Sequence, residues 1–222
     1  MFKLLKWDLI NFIKKYCLLL LGILAANILF ELFVIGSFSL GFSFEYLYPP
    51  IYNRIWTHLL IFAVALLSMS SWLHKSSAPL IASIYSRPWK IIVSKLIVAV
   101  ITSTSIFFLS EIIIQIACLI TNQPNKIIHY GSIPMVNFSS ILLYSTVAIF
   151  SFVFAKSFYL TRKSPIISAG IIYFAVRRIF AVLDWMIVYS AQIMPEIAII
   201  IPFTALLFVS GCILYKYRFQ IN

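Results

Sequence analysis

The sequence predicts an all-α membrane protein with six membrane-spanning helices, and three observations predict it. The chain is 63% apolar and only 10% charged, with a mean hydropathy of +1.03. A soluble domain is nearer half apolar and a quarter charged, and no soluble core hides this much apolar surface, so the surrounding medium must be lipid. The apolar residues also gather into six long runs, at about 16–38, 55–73, 91–120, 135–155, 165–189 and 195–215. A helix needs roughly 20 apolar residues to cross a bilayer. Finally, the basic residues are lopsided. With the N-terminus inside and alternating spans, the cytoplasmic side receives Lys3, Lys6, Lys14, Lys15, Lys75, Arg87, Lys90, Lys95, Lys156, Arg162, Lys163, Lys216 and Arg218, with Asp8 as its only acid. The outer half receives Arg54, Lys126, Arg177 and Arg178, together with Glu31, Glu45, Glu111, Asp184 and Glu196. The positive-inside rule then puts both termini in the cytoplasm. The net charge of +11 reads as a topology signal. It is scattered over membrane-facing loops rather than gathered in one patch, which argues against a nucleic-acid partner.

Residues 1–15, "MFKLLKWDLINFIKK", precede the first run. Phe2, Leu5, Leu9, Phe12 and Ile13 fall at helical spacing, and Lys3, Lys6, Asp8, Asn11, Lys14 and Lys15 cover the rest. That pattern predicts an amphipathic helix lying in the inner headgroup layer of membrane lipid, with Trp7 in the interfacial belt. It serves either as a topology anchor or as an elbow that fixes the first span against a partner. The run after Tyr16 is too long for a signal-peptide core, so it reads as a retained span.

Between the second and third runs lies "HKSSAPLIASIYSRPWKIIVSKL", residues 74–96. Ser76 or Ser77 can cap a helix, Pro79 suits its first turn, and Leu80, Ile81, Ile84 and Tyr85 form one apolar face. Arg87 and Lys90 suit the C-terminal end of the dipole, Pro88 stops the helix, and Trp89 marks the return to the interface. A short cytoplasmic amphipathic helix of this kind rests on lipid or docks in the groove of a soluble partner.

This stretch resembles the loop after span two of ABC-2-type transporter permeases. Their pattern is a Leu-Leu-Ser-Leu-Pro-Ile-Ser-Arg run, a basic-apolar stretch, and a Ser-Lys-Leu leading into span three. Leu80, Ile81, Ser86, Arg87, Lys90, Ser94, Lys95 and Leu96 fit it. Ile84 stands where Pro is common, Pro88 is an addition, and His74 and Lys75 replace an acidic-polar lead-in. The likeness covers the whole chain in layout and is specific only in this loop. It implies that residues 74–90 are a coupling helix, with Pro79, Leu80, Ile81, Ile84, Tyr85 and Arg87 docking a nucleotide-binding ATPase subunit. It further implies a second permease copy or a paired permease, a bacterial plasma membrane, and outward movement of an amphipathic or hydrophobic substrate such as a peptide, for export or self-immunity. A non-transporting scaffold or sensor that binds a cytoplasmic partner through the same loop is the alternative.

The chain itself carries no ATPase motif. A P-loop needs G-x-x-x-x-G-K-[ST], and Gly22, Gly36, Gly41, Gly131, Gly170 and Gly211 do not supply it, so ATP and Mg are expected on a partner chain. His58, His74 and His129 have no acid four residues away, which excludes the zinc-protease pattern. Adjacent glutamates of the membrane CAAX-protease type are absent. Cys17, Cys118 and Cys212 sit in apolar runs without metal or redox spacing and read as packing residues. Ser68, Ser70, Ser103 and Ser110 have no basic partner at usable spacing and read as inter-helix hydrogen bonders.

Charges inside the runs complete the expectations. An ionisable group at mid-bilayer costs at least about 2.5–3.5 kcal/mol, so it faces a partner or a wet cavity. Glu31 and Glu111 fall in the outer halves of spans one and three, and Arg177, Arg178 and Asp184 interrupt "FAVRRIFAVLDWM". Either span five is continuous and the arginines pair with Glu111, Glu31 or Asp184, or it ends near Val176 and residues 177–194 dip back into the membrane. Both versions predict a polar patch of two signs, serving as an outer gate or as ion pairs that lock helices together. The 17% of aromatic residues fit interfacial belts and say nothing about cargo.

Overall fold

A computed structural model describes residues 2–39, 49–69, 88–120, 138–158, 165–191 and 197–219. These form six α-helices: α1 (Phe2–Ser39), α2 (Pro49–Met69), α3 (Pro88–Ile120), α4 (Phe138–Ser157), α5 (Pro165–Ala191) and α6 (Ile197–Phe219). No strand occurs among the described residues. Helices are what such a chain must form, because lipid offers no partner to an open backbone N–H or C=O. Three of them begin on proline, at Pro49, Pro88 and Pro165, where the missing N–H costs nothing. Pro202 lies inside α6, beyond its first turn. Stretches long and apolar enough to cross a membrane occupy four helices, at Leu5–Leu29, Trp89–Ile116, Ser140–Ser157 and Ile166–Leu183, with shorter apolar stretches at Thr57–Met69 and Ile200–Lys216. The chain is an all-α membrane protein on that ground.

One helix boundary differs from the sequence expectations. Residues 2–15 are not a separate elbow; they are the first turns of α1, which runs unbroken for 38 residues, about 57 Å. No glycine or proline marks a joint near Tyr16, and Asp8 is pulled toward α3. Of the two versions left open for span five, α5 follows the continuous one, passing through Arg177 and Arg178 to Ala191 and not ending near Val176. Arginine is a good helix former, so two of them do not break the hydrogen-bond ladder. The expected coupling helix lies outside the described residues up to Arg87, and Pro88–Lys90 belong to α3.

Helix α4 is the hub, packing most extensively on α6 and α5 and also on α2 and α3. Its Ser145, Ala148, Ser151 and Ala155 are all buried and recur every three or four residues. Small residues at that spacing let backbones approach, which is how helices pack where lipid supplies no hydrophobic drive. The main core joins Met69 of α2, Ile91 and Ile92 of α3, Val147 and Phe152 of α4, Tyr173 of α5, and Leu207 and Tyr215 of α6. Helix α1 stands at the edge, against α3 and, more lightly, α2. Leu18 is 87% exposed there, as a lipid-facing residue would be.

Candidate functional site

Among the described side chains of α1, the buried ones are Asp8, Phe12 and Asn27. The amphipathic reading of residues 1–15 set Asp8 on the polar face; here Asp8 is buried beside Phe12, with Leu5 and Leu9 half-buried and Ile13, from the apolar stripe, exposed. The physical reason is the medium. Lipid solvates a leucine as well as a protein core does, whereas a carboxylate gains from every partner it finds.

Asp8 finds two. Lys95 Nζ donates to Asp8 Oδ1 at 3.0 Å, and Ser94 Oγ donates to Asp8 Oδ2 at 2.6 Å. Both charged side chains are 8% exposed. The two carboxylate oxygens are thus each engaged, one by a charge and one by a hydroxyl, as a buried pair requires if attraction is to offset desolvation. Sequence reading counted Lys95 as a topology charge and Asp8 as a lone acid. The signal that could have joined them was an acid inside a lysine-rich helix and a lysine inside an apolar run.

Higher on the same two helices, Asn27 Nδ2 donates to Ser110 Oγ at 2.8 Å, and Ser110 Oγ donates to the Phe107 carbonyl at 2.9 Å. The expectation that Ser110 bonds between helices holds. Ser68 instead donates to the Ala65 carbonyl of its own helix at 2.7 Å. Ser103 is fully buried without a hydrogen-bond partner, and Ser70 lies outside the described residues.

A second constellation sits between α2, α4 and α5. His58 and Tyr173 are buried, and the Tyr173 hydroxyl donates to the His58 carbonyl at 3.2 Å. The His58 and Tyr144 rings meet edge-on with centroids 4.0 Å apart, and Phe62 and Tyr173 lie 4.6 Å apart. This aromatic-polar box fastens α5 to α2.

Arg177 is half-buried one turn beyond Tyr173, and Arg178 is exposed. Glu111 is half-buried one turn beyond Phe107 and accepts from Gln115 Nε2 at 3.3 Å. Phe107 packs by Leu60 and Val64, while Tyr173 meets His58 and Phe62. Glu111 and Arg177 therefore sit at similar depth on opposite flanks of α2. No ion pair joins Glu111 to Arg177 or Arg178 among the described side chains, and α5 is held chiefly by α4 rather than α3. Glu31 and Asp184 lie on the helical backbone of α1 and α5, with their side chains outside the description. Pro79, Leu80, Ile81, Ile84, Tyr85 and Arg87 lie outside the described residues altogether. No group of His, Cys, Asp and Glu among the described residues could hold a metal ion.

Comparison with protein-family models, with curated proteins and with solved structures finds no match. The likeness to ABC-2-type permeases therefore stands on residues 74–96 and on the layout of the chain.

Proposed function

We propose that this chain is the permease subunit of an ATP-driven ABC exporter of a bacterial plasma membrane. It pairs with a second permease copy or a related permease, and it docks a separate ATPase through residues 74–90. It then moves an amphipathic or hydrophobic substrate, such as a peptide, outward. Pro79, Leu80, Ile81, Ile84, Tyr85 and Arg87 are the docking residues.

The observation that supports this reading most is how the bundle holds the ends of that segment. Met69, the last residue of α2, shares one buried cluster with Ile91 and Ile92 in the first turns of α3. The last residue of α2 and the first turns of α3 therefore belong to one packed core at one end of the bundle. The lysine-rich start of α1 is tied to that same end by Asp8 and Lys95. A segment with both ends fixed in a packed core transmits force, whereas a loop on a loose tether absorbs it.

The test is an affinity pull-down of tagged protein from its own host in mild detergent, with the bound proteins identified by mass spectrometry. The expected result is a stoichiometric P-loop ATPase that is lost on Ile84→Asp. Recovery without any ATPase would leave the scaffold or sensor reading in its place.

A further inference from the structure

Among the described side chains, α1 is the helix least held by burial, and two of its three buried ones are polar. Its apolar contacts, Leu20, Ile23 and Leu24 beside Leu60, Val64, Ile106 and Phe107, do not by themselves select a register. Lipid tails compete on equal terms for such surfaces, so a slide or a rotation costs little. The polar contacts are different in kind. Asp8 meets Ser94 and Lys95 near one end, and Asn27 meets Ser110 near the other. Both sequence positions rise together, so α1 and α3 run parallel. The two contacts lie about 28 Å apart along α1 and about 23 Å apart along α3, at 1.5 Å per residue. A slip of one residue would part Asp8 from Ser94 and Lys95 and leave two buried charges unpaired.

From this geometry we infer that Asp8, with Ser94 and Lys95, is a positioning joint that locks α1 to α3 in one register. A displacement of the segment before Pro88 then moves both helices together. Lys95 stands about two helical turns beyond Pro88, so the joint is among the first points at which motion of α3 reaches another helix. Helix α1 packs chiefly on α3 and, lightly, on α2. The source of the displacement rests on the permease reading; the locked register does not.

The test separates the two. In a background with Cys17, Cys118 and Cys212 replaced by alanine, single cysteines at Leu20, Ile23 or Leu24 are paired with single cysteines at Ile106 or Phe107 and oxidised in native membranes. With Asp8 present, one pair should dominate. Asp8→Ala should lower the yield of that pair several-fold and spread crosslinking to its neighbours. Charge exchange, Asp8→Lys with Lys95→Asp, should restore the single dominant pair. An unchanged pattern in Asp8→Ala overturns the joint. If Asp8→Ala does not accumulate, the exchange variant decides, and a blurred pattern there overturns it equally. On co-purified complex, Asp8→Ala should retain bound ATPase while its hydrolysis rate no longer responds to the permease. Wild-type membranes that show one dominant pair but yield no ATPase would sink the permease reading and leave the joint standing.

Discussion

Asp8 and Lys95 stand 87 positions apart in sequence and meet at 3.0 Å, each nine-tenths buried, where α1 crosses the first turns of α3. Removing one partner leaves the other charge buried and unpaired. Asp8→Asn or Lys95→Met should therefore destabilise the protein by about 3–5 kcal/mol, while the double variant should recover much of the loss. Thermal unfolding in detergent, read by loss of helical circular dichroism, checks the cycle. Additive losses would mean that the pair does not couple.

The Asn27–Ser110 bond should be worth far less. Neutral hydrogen bonds between membrane helices average about 0.6 kcal/mol, because the separated helices find substitutes. Asn27→Leu, Ser110→Ala and their combination form the cycle, with a coupling expected below about 2 kcal/mol. A larger value would show that Asn27, rather than Asp8, dominates the placement of α1.

Tyr173 joins a fully buried ring to one hydrogen bond on the His58 carbonyl. Tyr173→Phe keeps the ring against Phe62 and loses the bond, at about 1 kcal/mol. Tyr173→Ala also opens a cavity between α2, α4 and α5 and should cost about 3–5 kcal/mol. Equal effects in melting experiments would mean that the hydroxyl, not the ring, fastens α5.

Gly170 tests the same seam from the other side. A Cβ built there would lie 3.8 Å from the Phe62 ring, an ordinary contact. Gly170→Ala should be tolerated or stabilising by up to about 1 kcal/mol, through helix propensity. Gly170→Leu has no such room and should push α5 off α2, seen as a lower melting temperature and faster labelling of a cysteine placed at Tyr144.

Arg177 and Arg178 separate a gate from a helix lock. The described side chains give neither arginine an acidic partner. Arg178→Gln, at an exposed position, should change stability by no more than about 0.5 kcal/mol. A loss of several kcal/mol would identify it as half of a structural ion pair with a side chain such as Asp184. Unchanged melting, with ATPase stimulation abolished in the co-purified complex, would mark it as part of the outer gate.

The all-helical membrane architecture was legible in the sequence, because the bilayer imposes its own length and polarity rules on any chain that crosses it. The long apolar runs each follow from a local requirement of one segment. The role of Ser110 between helices was legible for the same reason: an isolated hydroxyl in lipid has few options. Of the two versions of span five that the sequence left open, the helix is continuous through Arg177 and Arg178, because the backbone ladder and not charge count decides helix ends.

What only the tertiary structure decided is which residues face inward. Residues 1–15 carry a clear apolar stripe, and the sequence lays that stripe in the inner headgroup layer with Asp8 on the polar face. In lipid the preference for burial passes to the polar groups, so Asp8 turns inward while Ile13 and Leu18 turn out. No periodicity records this, since the partner on α3 lies far along the chain and matters only once the two helices lie parallel. The bilayer determines that these segments are helices; the few buried polar contacts determine how those helices meet.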